Sequence, residues 1–153
     1  MNKAALLSGI LLILVLSGCG HAPADTAIDM QAARKLSDAF MADLIAHRSD
    51  AALDKMEPQF IGMVNRSDFP SQLERLFQYC GWPLDSELKD IQDGVKVYPD
   101  LHKNPLRKFI YAATTSQAPK GQCYFSVDVV PNGSTLKVTS FGPLKVTSGK
   151  PYP

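Results

Sequence analysis

Asp43 and His47 stand four residues apart in a stretch of helical periodicity, so on a helix their side chains share one face. A carboxylate beside an imidazole is half of an acid–base site: the acid fixes the tautomer and the ring carries the proton. The same spacing also serves structure alone, because a histidine near a helix C-terminus is favoured by the dipole and by a nearby carboxylate. Tyr111, in a strand-forming run, offers a phenol that can donate to a developing enolate oxygen. Its neighbour Ile110 competes for the inward position, and the alternation there leaves both open. Asp128 alternates with Cys123, Phe125 and Val127, which assigns it to the opposite sheet face as a solvated or dimer-facing carboxylate. The catalytic candidates are therefore Asp43, His47 and Tyr111, with no third group placed to complete a site. Tyr79 and Trp82 flank Cys80 and read as packing anchors at a rim. His21, His47 and His102 lack metal-ligand spacing and no Cys-x-x-Cys occurs, so no metal and no cofactor are expected. Gly149-Lys150 stands in a tail without the glycine-rich loop that cradles phosphate.

The most specific chemistry lies in the first twenty residues. Lys3 precedes an apolar run from Ala4 to Leu16, interrupted only by Ser8 and Gly9. A spanning helix needs about 20 apolar residues, whereas a secretory core of roughly 7–15 fits this run. The run closes on Leu16-Ser17-Gly18-Cys19, with small residues where a peptidase must grip the backbone and a thiol that can take a diacylglyceryl group. This resembles the lipobox of bacterial lipoproteins. The resemblance implies a signal peptide over residues 1–18 and a chain anchored to membrane through lipidated Cys19. With Gly20 rather than aspartate at the next position, it implies the outer membrane, facing the periplasm. Residues 19–27 form a polar tether, and the segment from Gly20 to Ile28 reaches at most about 30 Å.

The formal net charge is +1, and losing Lys3 with the leader leaves no basic surplus, so nucleic acid is excluded as a partner. Residues 28–147 are long enough for a single domain with its own core, followed by a loose tail over 148–153. Ala33, Leu36, Phe40 and Leu44 make one stripe of a helix over 28–47. Ser49-Asp50 opens a short helix that runs through Met56 and is ended by Pro58. A third helix follows Ser67-Asp68, with Phe69, Leu73, Leu76, Phe77 and Cys80 inward and Gly81 as its left-handed stop. Strands are expected over 84–98, broken near Asp93-Gly94, then over 107–117, 122–130 and 135–141, with a continuation over 144–147. The segment "YPDLHKNP" reads as a loop, and Asn132-Gly133 as a hairpin turn.

Three cysteines leave a pair once Cys19 takes lipid. Cys80 falls on the apolar face of a helix and Cys123 on the apolar face of a strand. Both sulfurs then lie between the layers, and in an oxidising compartment a Cys80–Cys123 disulfide is expected.

Helices followed by an antiparallel meander indicate an α+β fold, three helices on a curved sheet of about four strands. The stretch "LSDAFMADLIAHRSDAALDKM", a long amphipathic helix running into a short one, resembles the opening of the nuclear transport factor 2-like superfamily, the cystatin-like cone. The resemblance covers residues 28–147 and is similar above all to small bacterial lipoproteins of that fold. It implies a pocket between helices and sheet, used across the superfamily for isomerases, dehydratases, small-molecule binding and protein association. The catalytic constellations of its enzymes are missing here. The expected function is a non-enzymatic binding or protein-interaction module of the cell envelope, taking an envelope protein or a small apolar ligand. The alternative is a pocket enzyme of the isomerase or dehydratase type using Asp43, His47 or Tyr111. The oligomeric state is not legible.

Overall fold

The structure, a computed structural model, describes residues 28–119 and 122–144. The expected signal peptide, Cys19, the tether over 19–27, the strand continuation at 145–147 and the tail over 148–153 lie outside the described residues. No helix among the described residues is long and apolar enough to cross a membrane.

Helix α1 spans Met30–Ile45. Asp29 caps it, its carboxylate accepting from the backbone N–H of Gln31 at 2.9 Å and of Ala32 at 3.2 Å. Ala33, Ser37, Phe40, Met41 and Leu44 are buried along one stripe. The chain leaves the helix at Ala46, and His47 adopts φ 55°, a left-handed conformation that turns it sharply into α2, Ser49–Asp54. The expected helix stop at Pro58 is corrected: α2 has already ended, and Pro58 instead opens a further helix, α3, Pro58–Met63. A proline at the first helical position loses an N–H that has no partner there anyway. A 3-10 turn over Arg66–Asp68 leads into α4, Phe69–Phe77, which buries Phe69, Leu73 and Phe77. There are thus four α-helices rather than three among the described residues, and Cys80 sits in the turn after α4 rather than on its stripe. Gly81 follows at φ 83°, where a Cβ would stand 2.8 Å from Thr115 Oγ1.

The four strands, β1 Pro83–Val97, β2 Lys103–Thr115, β3 Cys123–Asn132 and β4 Thr135–Leu144, form one curved antiparallel sheet in chain order. Asp93-Gly94 does not break β1. Gly94 pairs squarely with Leu106, whose Cδ2 would lie 3.1 Å from a Cβ at that position, so the glycine makes room for a side chain. The irregularities fall instead between Pro83 and Asp85 and between Leu88 and Asp90. The loop expected over "YPDLHKNP" is shorter, because Lys103, Asn104 and Pro105 already pair with Val97, Lys96 and Val95. Gly133, at φ 61°, completes the two-residue β3–β4 turn.

One sheet face carries Phe109, Tyr111, Ala113, Cys123, Phe125, Val127, Val129 and Val138 into a core shared with α1, α2 and α4. Fully burying a Phe or Leu there contributes about 1.5–3 kcal/mol each. Tyr111 takes the inward position over which it competed with Ile110, and Ile110 is buried on the other face. The sulfurs of Cys80 and Cys123 lie at bonding distance, with Cα atoms 6.1 Å apart, the ordinary separation for a disulfide.

Curvature is visible in one contact. Lys96 of β1 and Thr139 of β4 belong to opposite edges, yet the Lys96 ammonium donates to the Thr139 hydroxyl. In a flat sheet three gaps of about 4.8 Å would hold those edges beyond a lysine's reach. Twist and the bulges in β1 and at Thr139 coil the strands enough to bring them together.

Candidate functional site

Asp43 and His47 do not assemble as a pair. Because the chain turns out of the helix, the partners of Asp43 are Arg48, whose Nη2 lies 2.8 Å from Oδ1, and Lys55, whose ammonium donates to Oδ2. Burial raises the Asp43 pKa, but hydrogen bonds from Lys55 and Arg48 outweigh it and hold the acid below its usual range. His47 stacks on Trp82 with centroids 4.3 Å apart, and the Trp82 indole N–H donates to Leu44 O at 2.8 Å. This neighbourhood is a corner brace between α1, α2 and the start of β1. Tyr79, 87 % exposed, stands apart from it.

Tyr111 points elsewhere. Its oxygen lies 2.7 Å from Ser37 Oγ and 2.8 Å from Asp38 Oδ1. Having one proton, the phenol donates to the carboxylate and accepts from serine. Burial first, then the Asp38 carboxylate, pushes its pKa up against the opposing Ser37 hydrogen bond, so the phenol stays protonated. It borders an open groove of about 520 Å³ with Arg34, Asp38, Ala42 and Leu88, which neither Asp43 nor His47 lines. The three sequence candidates therefore occupy separate settings.

Two further carboxyls, Asp128 on the outer sheet face and Glu57 at the start of α3, were not flagged as a site by the sequence. Asp128 is not solvated as expected. It points away from the helices but is only 9 % exposed, with Oδ2 accepting from Ser140 Oγ at 2.6 Å and Oδ1 without a hydrogen bond. Lys108 Nζ, on the neighbouring strand, is 3.9 Å from Oδ1. Burial pushes this carboxyl up, beyond what Ser140 and Lys108 offset. Nothing in the local alternation shows that the outer face is also covered.

Glu57 is 5 % exposed. The segment around it is placed by a parallel bridge between Met56 and Val138, with Glu57 N–H donating to Val138 O at 2.9 Å. Its Oε1 accepts from the Tyr98 hydroxyl at 2.7 Å, and its Oε2 from Lys96 and Thr139. Burial raises its pKa, but those three donors hold it below its ordinary value. Tyr98 is pushed up to about 12 by burial and by the Glu57 carboxylate. Lys96 Nζ lies 4.3 Å from the Tyr98 ring centroid, and His102 stacks on that ring at 4.0 Å. The donors come from positions 39, 41 and 82 residues away, so no local spacing could have announced this cluster.

Beside it runs an open groove of about 280 Å³ between α4 and β4, lined by Phe60, Phe69, Leu73, Leu76 and Phe141 with Gln72, Thr139 and Ser140. Phe60 and Phe141 pack edge-on against Phe69 at centroid distances of 6.2 and 6.4 Å, giving the groove aromatic walls. Among the described residues no ionisable side chain lines it. Among the described residues no group of three His, Cys, Asp or Glu side chains is placed to hold a metal ion. The chain matches no family model, no curated protein and no solved structure.

Proposed function

We propose that this chain is a lipid-anchored lipoprotein of the bacterial cell envelope, held at Cys19 on the outer membrane and facing the periplasm. Its domain acts as a non-enzymatic binding module. The observation that carries the binding reading is the aromatic groove of Phe60, Phe69 and Phe141: it offers apolar contact and a few neutral hydrogen-bonding groups, and among the described residues no side chain that titrates. Acid–base chemistry needs an ionisable group at the reacting atom. A hydrophobic segment of an envelope protein or a small apolar ligand suits such a lining. The lipobox residues Leu16 to Cys19 support the anchor. The order of elements, a long α1 running into a short α2 and then a curved four-stranded meander, supports membership of the nuclear transport factor 2-like superfamily.

A photo-crosslinking residue in place of Leu76, in the exported full-length chain, tests the module. The expected result is one dominant adduct, with a protein or an apolar small molecule, lost on Phe69→Ala. Absence of any adduct, together with an empty groove by native mass spectrometry, would overturn the reading. For the anchor, Cys19→Ser should move the chain out of the membrane fraction; retention there would reject lipidation.

A further inference from the structure

The strands of the meander alternate in direction, so the β1–β2 turn and the β3–β4 turn lie at the same end of the sheet. They touch: Asn104 Nδ2, next to the first turn, donates to Pro131 O, next to the second, at 3.4 Å. Ile28, the first described residue, is buried at that same end, beside Pro131 and Leu136. The nine residues from Gly20 to Ile28, which follow Cys19, therefore enter the domain at the end where the β1–β2 tip projects. They extend at most about 30 Å, so a lipid at Cys19 keeps this end of the domain near the bilayer.

The tip is dressed for that position. Val95, Val97 and Leu101 are 61 %, 55 % and 77 % exposed. Leu101 is held outward at φ 68°, a conformation that costs a branched side chain energy and gains it no packing. The apolar surface is aliphatic. Leucine and valine are under-represented among the residues that anchor protein interfaces, whereas aliphatic side chains partition readily into the headgroup and acyl boundary.

We propose that the β1–β2 tip, through Val95, Val97 and Leu101, is a membrane-docking surface that inserts into the outer boundary of the bilayer carrying the anchor. It fixes the orientation of the domain, with the β2–β3 end turned away from the lipid. This rests on the lipid-anchor reading above.

The test uses the full-length processed chain in vesicles of phosphatidylethanolamine and phosphatidylglycerol, and in native membranes. A polarity-sensitive fluorophore is placed at Leu101→Cys or, in the β2–β3 turn at the opposite end, at Gln117→Cys. In vesicles, the Leu101 probe should be blue-shifted and quenched by aqueous iodide about threefold less than the Gln117 probe, as burial some 5–10 Å into the interface requires. Equal quenching in a chain that stays on the vesicles through an alkaline carbonate wash overturns the docking and leaves the anchor standing. A chain washed off by carbonate overturns the anchor, and the docking with it. Shielding in native membranes but not in vesicles would mean that a protein covers the tip, and also overturns the proposal.

Discussion

Glu57, at the start of α3 beside strand β4, and Asp128, in β3, are both buried, yet they are opposite kinds of carboxylate. Three donors converge on Glu57, from Lys96, Tyr98 and Thr139. Among the described residues Asp128 has one donor, Ser140, and a lysine at 3.9 Å. Burial pushes both upward, and the donors decide the outcome: Glu57 ends below its ordinary value and Asp128 above it. Depth alone therefore says little about what a buried acid does. Donor count separates a clasp that joins two edges of a sheet from a carboxyl whose charged form burial disfavours.

The comparison can be broken most directly at Glu57. Replacing it by alanine strands Lys96 and Tyr98 without their acceptor, and a cost of about 3–5 kcal/mol is expected in urea unfolding. A loss below about 1 kcal/mol would mean that the clasp is ornamental. The Cys80–Cys123 pair supplies a yardstick that involves neither acid. Changing both cysteines to serine should cost about 3–4 kcal/mol by the loop-closure estimate. A free-thiol assay that finds both cysteines reduced after export would remove the yardstick altogether. Asp128→Asn comes next, with stability expected within about 1 kcal/mol of the parent, because an amide relieves a poorly served charge. A loss comparable to that at Glu57 would show unseen donors at Oδ1.

The smallest effect, and the sharpest, is the sign of the pH dependence. Glu57 has a folded pKa below the ordinary glutamate value of 4.5, so between the two the unfolded chain holds more protons. Its contribution is complete above 4.5 and is lost as the pH falls through the folded pKa. Asp128 has a folded pKa above 3.8, so in that window the folded chain holds more protons. Its contribution falls as pH rises from 3.8 through the folded pKa. Difference profiles for Glu57→Gln and Asp128→Asn should therefore slope in opposite directions, and parallel profiles would erase the distinction.

What was legible follows the range of the interactions. The α1 stripe, the alternation of β3 and the Asn132-Gly133 turn are local, and each appears where its periodicity places it. Cys123 lies on the apolar face of β3 that its alternation gave, whereas Cys80 lies past the end of α4, in the turn that carries it to Cys123, so the pair was matched although the helical stripe stops short of Cys80. The reading of Asp43 and His47 as neighbours on one helix face failed because it assumed that the helix continued, whereas α1 ends at Ile45. The left-handed backbone at His47 sends the ring to Trp82 and leaves Asp43 to Arg48 and Lys55. Glu57 was hidden twice over, beside a proline that reads as a stop and with partners brought in only by sheet curvature. Asp128 was misread because alternation reports which face a residue takes and is silent on whether that face is covered.

The bridge between Met56 and Val138 has a consequence in time as well as in space. Each strand pairing of the meander joins chain neighbours and carries little loop-closure entropy. The Glu57–Thr139 contact beside the bridge spans 82 residues and can form only once β4 is in place. We expect it to be absent from the rate-limiting barrier to folding. Mutation at Glu57 should then hasten unfolding and leave the refolding rate almost untouched, so the clasp sets how long the folded domain lasts rather than how fast it is made.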